Sequence, residues 1–211
     1  NNFESTGVMV WSAANDVGES DASAMAGLPE LFPDLGEAWI VANVVQYTGD
    51  SDLSNATSSE FTLKGNKCGS TAEYCLSVDG YDVYAATYVD SGTSRYNSSR
   101  ISYGSSWSAP MVSGGVALMA QAFPNHTPEQ LVDRILASAN NVWFTPEGNT
   151  TFTTHGNGVK HGYHSDWGHG IPDFYAALSP ITSDGNPASM SLYTSSSIQS
   201  SEAASLGSSY I

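Results

Sequence analysis

Gly104-Ser105-Ser106-Trp107-Ser108-Ala109-Pro110, continued by Met111-Val112-Ser113-Gly114-Gly115, is the stretch on which the reading of the fold turns. A serine hydroxyl at the head of a helix meets backbone N–H groups that lack helical partners. It also meets the positive end of the helix dipole, and both favour an anionic oxygen there. The small residues around Ser106 let such a helix enter a core. The pattern predicts a helix over 108–122, apolar nearly all round and therefore inside the fold. Pro110 is expected in its first turn, where a missing N–H does no harm. By itself Ser106 also fits a plain N-cap on a core helix.

Upstream, 7–13 and 38–45 are continuous apolar runs, the pattern of strands buried on both faces in a parallel sheet. Asp16 to Gly36 and Gln46 to Lys67 read as loops, and 74–78 and 82–86 as short strands around a turn at Asp79-Gly80. Downstream, Thr127-Pro128-Glu129-Gln130 opens a second helix with an N-cap Thr, Pro at the first helical position and Gln at N3. Leu131, Ile135 and Leu136 follow at helical spacing. A Gly- and His-rich loop leads to a short helix over 173–178. The polar, Ser-rich 182–211 reads as a linker or tail, which leaves 1–181 as one domain.

The composition narrows the partners. Of 211 residues, six are Lys or Arg against 21 Asp or Glu, a formal net charge of −15. Such a chain is repelled by phosphate backbones and anionic membrane surfaces, which argues against nucleic-acid binding. No apolar run reaches the roughly 20 residues of a transmembrane helix. Cys68 and Cys75 stand close together with no further metal ligand beside them, and a small disulfide loop is the preferred reading. The sequons at Asn55, Asn97, Asn125 and Asn149 bear on the molecule only in a eukaryotic source.

The stretch around Ser106 resembles the nucleophile motif of the subtilases, Gly-Thr-Ser-x-Ala/Ser-x-Pro with a Val and a Gly after it. A second element agrees. Val10-Trp11-Ser12-Ala13-Ala14-Asn15-Asp16 resembles the strand that delivers the family's oxyanion-hole asparagine, usually written Ala-Ala-Gly-Asn. Without that resemblance Asn15 reads as a turn residue after a strand. The resemblance runs from about Gly7 to Ile181. It implies an α/β, three-layer subtilisin-like fold with a mostly parallel sheet and central buried helices, of which this chain is the C-terminal portion. Gly27-Leu28-Pro29-Glu30-Leu31 before Trp39, the Cys68 and Cys75 pair, and Trp167-Gly168-His169-Gly170-Ile171-Pro172-Asp173 look most like the subtilases of bacterial autotransporters. Departures are Ala14 for Gly, Ser105 for Thr, Trp107 after the serine, and Val78-Asp79-Gly80 for Ala-Pro-Gly.

The resemblance implies a secreted or cell-surface serine endopeptidase with Ser106 and Asn15 as catalytic residues. Ser12, Ala13 and Ala14 would form one wall of the substrate pocket. It further implies an Asp and a His upstream of Asn15, expected on an N-terminal fragment of the same protease that is absent from this chain. Protein or peptide substrates are the other expected partners. All five histidines (His126, His155, His161, His164, His169) follow Ser106, and His161, His164, Asp166 and His169 read as a polar surface segment rather than a metal site. No cofactor is expected. Calcium is possible at acidic loop residues such as Asp50 and Asp52, though no spacing locates it. One rival reading is a catalytically inactive subtilase-like adhesin or interaction module. Another is a lipase or esterase, for which the Gly-x-Ser-x-Gly elbow is missing.

Overall fold

The computed structural model describes residues 3–88, 96–100, 103–154 and 158–179. The tail at 182–211, the domain boundary at 181 and His155 lie outside the described residues.

The sheet is organised around its second strand. Strand β1 (Met9–Ser12) pairs in parallel with the first half of β2 (Trp39–Tyr47), in the register Met9 with Trp39 and Ser12 with Ala42. The short β3 (Phe61–Leu63) runs antiparallel to the end of β2, and β4 (Cys75–Asp79) lies parallel along its other edge. β2 is buried from Trp39 to Val45, as a continuous apolar run predicts for a central strand. From Trp39 to Ala42 its side chains alternate between two clusters. Ile40 and Ala42 join Leu76 and Val78 beneath the helices. Trp39 and Val41 pack with Ala13, Ala26, Ala72 and the two cysteines on the opposite face.

Strands β5 (Tyr84–Tyr88) and β6 (Tyr96–Arg100) form a separate antiparallel pair. The expected strand after the Asp79-Gly80 turn is thus present but does not join the main sheet. Helix α1 (Ser105–Ala122) begins three residues earlier than its sequence pattern predicts, and Pro110 stands inside it rather than in the first turn. The ring removes the N–H that would have bonded the Ser106 carbonyl one turn back. Helix α2 (Pro128–Ala137) has the expected capping box. Thr127 Oγ1 accepts Gln130 N–H at 3.2 Å, and Gln130 Oε1 accepts Thr127 N–H at 2.9 Å. Strands β7 (Gly148–Phe152) and β8 (Val159–Tyr163) form a hairpin where the sequence suggested loop. Helix α3 (Phe174–Leu178) closes the fold, with Asp173 capping it through Ala176 N–H at 2.8 Å.

Two contacts hold the helical layer together. A methyl group on Gly115 would enter the Phe174 ring, so the glycine is what lets α3 lie against α1. Arg134 is buried beneath the end of α3, donating through Nη2 to Ser179 O at 2.6 Å and stacking over Phe123 at 4.3 Å.

The expectation of full burial fails for β1 and α1. β1 is only half-buried, and among the described residues its outer edge has no partner strand. α1 buries one stripe, Ser105, Ser108, Val112, Gly115 and Met119. Its opposite face bares Met111 and Leu118, and nothing stands within 4 Å of where a Gly114 side chain would begin. An all-round apolar pattern marks a helix that packs on every side, and the described part of this chain covers one side.

Cys68 and Cys75 are bridged, with their Cα atoms 5.9 Å apart, and both are fully buried beside Trp39 and Val41. The loop that they close is short. By chain-entropy arguments its loss costs about 2.5 kcal/mol. Replacing both cysteines by serine is therefore expected to lower the unfolding free energy by about that amount, read as a lower urea midpoint, and an unchanged midpoint would show the bridge to be thermodynamically silent.

Candidate active site

The site forms where β1 ends and α1 begins. β1 carries the chain to Ala13, which is fully buried. Its N–H donates to Ala42 O at 2.9 Å and its carbonyl accepts Ser23 N–H at 2.7 Å. Ala14 then turns the backbone with φ at 105°, a region that favours glycine, and leaves Asn15 exposed. This answers the substitution of Ala for the Gly expected there: the glycine-type turn is made regardless. The loop behind it holds the turn in place. Asn66 N–H reaches Ala14 O at 3.3 Å, Asn66 Oδ1 accepts Asp16 N–H at 2.9 Å, and Asn66 Nδ2 donates to Asp21 O at 2.8 Å. A side chain on Gly65 would strike the Ala14 carbonyl and come within 2.8 Å of Val44 Cγ1. Gly65 and Asn66 therefore shape the site, and sequence reading missed both. Their only signal is a Gly-Asn pair shortly after the β3 run, with Lys64 between.

The strained alanine gives a direct prediction. A non-glycine residue held at such a φ costs roughly 1–3 kcal/mol, of which glycine's own entropy takes back roughly 0.5–1. Ala14→Gly should therefore raise stability by about 1 kcal/mol, seen as a higher melting temperature. A lower one would mean that the methyl group packs well enough to outweigh the strain.

At the other side of the site, Gly104 N–H donates to Gly80 O at 3.2 Å, tying the head of α1 to the end of β4. Ser105 is fully buried, whereas Ser106, the next residue, is exposed. Ser106 occupies the first helical turn, where its N–H has no intrahelical acceptor. Asn15 is bound to this turn. Its Oδ1 accepts Ser105 N–H at 2.7 Å and the Ser105 hydroxyl at 2.9 Å. Its Nδ2 has no hydrogen-bond partner among the described residues. The structure thus sets an exposed serine, a free first-turn N–H and a free carboxamide N–H at one helix terminus. Such a set can deliver a hydroxyl to a carbonyl carbon and donate to the oxygen that becomes negative. Ser12 and Ala14 are partly exposed, whereas the Ala13 side chain is fully buried in the core.

The reading of a polar surface segment is corrected for two of the histidines. His161, on β8, and His169 are buried, with their Nδ1 atoms 2.9 Å apart. His161 Nε2 meets Ala139 O at 2.9 Å and His169 Nε2 meets Glu73 O at 3.0 Å. Carbonyls only accept, so in a neutral pair each Nε2 carries its ring's proton and the two Nδ1 lone pairs face each other. A further proton between the rings would bury a charge. Burial keeps the pair neutral, lowering the His161 pKa and, with repulsion from His161 added, the His169 pKa to about 3. His164 stands 3.4 Å from Glu147, and Asp166 pairs with Lys67 at 2.7 Å. Among the described residues no three His, Cys, Asp or Glu side chains cluster as metal ligands. Asp52 caps a short turn by accepting Ser54 N–H at 2.9 Å.

The neutral pair has a pH consequence. Unfolded histidine titrates near 6.5, so below that pH the unfolded chain takes up protons that the folded pair refuses. The pair's contribution is complete above about pH 6.5 and is lost as pH falls from there towards 3. Urea unfolding free energy should already drop between pH 6.5 and 5, above most carboxylate titration. A flat profile over that window would contradict the buried neutral pair.

Residues 2–170 match the model described as the subtilase family. An extracellular serine protease of Serratia marcescens is 28% identical over 150 residues, 64% of this chain and 13% of that protein. Fervidolysin from Fervidobacterium pennivorans, a keratinolytic enzyme related to subtilisin, superposes with a TM-score of 0.52 at 22% identity, over 83% of this chain and 23% of that one. The prenylagaramide maturation protease PagA gives 0.50 at 17% identity, over 81% and 49%. The two solved structures share the α/β fold with its mostly parallel sheet. The chain spans a small part of the curated relative and less than half of either solved chain.

Proposed function

This chain belongs to the subtilase family, and on that footing we propose that it is the nucleophile-bearing part of a secreted serine endopeptidase. Ser106 attacks the scissile carbonyl, a histidine takes its proton, and an aspartate holds that histidine in the required tautomer. The oxygen that becomes negative is bound by Ser106 N–H and Asn15 Nδ2. The observation that carries this reading is the exposed Ser106 in the first turn of α1, beside an Asn15 whose Oδ1 is tied back to buried Ser105. Ser12 and Ala14 line one side of the substrate's path.

In this reading the histidine and aspartate come from an N-terminal segment of the same protease. The half-buried β1, whose outer edge has no partner strand among the described residues, and the bare Met111–Leu118 face of α1 support it, since both are apolar surfaces that a preceding segment would cover. Secretion is supported by the extracellular relative and by the buried bridge. Within the family, the segments around Leu28, the cysteine pair and Trp167 to Asp173 support a place among autotransporter subtilases.

The alternative, an inactive module on the same fold, predicts a silent Ser106. A fluorophosphonate reacts only with an activated serine. Treating the full-length protein with such a probe should label Ser106, and an unlabelled, folded protein would favour the inactive module.

A further inference from the structure

We propose that Ser105 is a positioning residue whose hydroxyl, together with its backbone N–H, holds the Asn15 carboxamide with its N–H end towards the substrate. The proposal rests on the reading of Asn15 as the oxyanion donor. An exposed asparagine can turn its side chain by half a rotation and exchange an N–H donor for a carbonyl acceptor. With the acceptor outward, Asn15 would repel the oxygen that it has to bind.

Three hydrogen bonds around Ser105 prevent this. Ala14 N–H donates to Ser105 Oγ at 3.2 Å and fills one of its lone pairs. The single hydroxyl proton is then directed to Asn15 Oδ1, at 2.9 Å. Ser105 N–H points at the same Oδ1, at 2.7 Å. Both lone pairs of Oδ1 are occupied, and both Nδ2 hydrogens are turned away from Ser105. The reversed carboxamide would set an N–H group against the Ser105 N–H and give up that bond. Ser105 is fully buried, so water does not compete for these contacts although Asn15 itself is exposed. The backbone N–H of residue 105 alone supplies one anchor. The hydroxyl supplies the second and also links the carboxamide to the Ala14 turn.

The test is a kinetic cycle in the full-length protease with Ser105→Ala, Asn15→Ala and the double variant. Ser105→Ala is expected to lower kcat about tenfold, the size of one hydrogen bond, with KM within about twofold because the donor acts in the transition state. In the Asn15→Ala background the same change should cost nothing further in kcat, since the group being positioned is gone. An equal loss in both backgrounds, or no loss in the first, would overturn the proposal. If Ser105→Ala fails to fold, the near-isosteric pair Ser105→Thr and Ser105→Val decides: Thr keeps kcat and Val lowers it, and equal kcat values refute the role. Asn15→Ala with unchanged kcat removes the oxyanion donor and this proposal with it. Activity retained by Ser106→Ala instead strikes the nucleophile and leaves the Ser105–Asn15 coupling to be read from the cycle.

Discussion

Ser106→Ala is expected to abolish peptide-bond hydrolysis by the full-length protease and to leave its melting temperature unchanged within about 1 °C. The two halves of this expectation come from different observations. The hydroxyl sits on an exposed residue in the first turn of α1, so its removal opens no cavity and strands no buried partner. In the proposed mechanism it is the group that forms the acyl-enzyme, and no neighbour in that turn can replace it: Ser105 is buried and its hydroxyl proton is committed to Asn15. In subtilisin the loss of the nucleophile costs about 10⁶-fold in kcat, a size taken over from that enzyme rather than from this geometry. Turnover by the variant above about a few per cent of the parent would remove Ser106 from the mechanism.

Asn15→Ala and Asn15→Asp together separate two tasks of one side chain. Oδ1 holds Ser105 and Nδ2 donates outward, so Ala removes both tasks while Asp keeps the first. Ala should lower kcat by about 10²–10³-fold, again the size known from subtilisin's own asparagine. It should also cost about 1–2 kcal/mol in stability, because the buried Ser105 N–H and hydroxyl lose their acceptor. Asp preserves that acceptor and hence most of the stability, yet sets a negative charge where the proposed mechanism forms its oxyanion. Its kcat should fall at least as far as that of Ala. A loss confined to KM in either variant would place Asn15 outside the oxyanion site.

How far these residues could be read in advance depends on the range of the interaction. Ser106 and Asn15 sit in local patterns, a small-residue helix head and a strand-to-turn junction, and both patterns survive translation into the structure. Thr127 to Gln130 formed its capping box as written, because a cap involves residues three apart. Gly65, Asn66 and Ser105 are different. Their roles depend on contacts to Ala14 to Asp16 across 50 residues or more, and no local period records such a contact. The β7–β8 hairpin and the buried histidines were misjudged for the same reason. Polar residues on a short strand look like loop until Ala139 and Glu73 carbonyls arrive to pair with the imidazoles.

By itself the sequence determined the central buried strand β2 and the placement of a serine at a helix head, through periodicity, side-chain size and capping chemistry, which act within a few residues. The class of fold it gave through the resemblance of two short motifs to the subtilases. Only the tertiary structure decided that α1 starts at Ser105, that Ala14 accepts a turn suited to glycine, and that the Asn15 carboxamide faces outward with its nitrogen. Each of those depends on hydrogen bonds between β1 and α1, segments some 90 residues apart. The energy that sets them exists only once the chain has closed that loop.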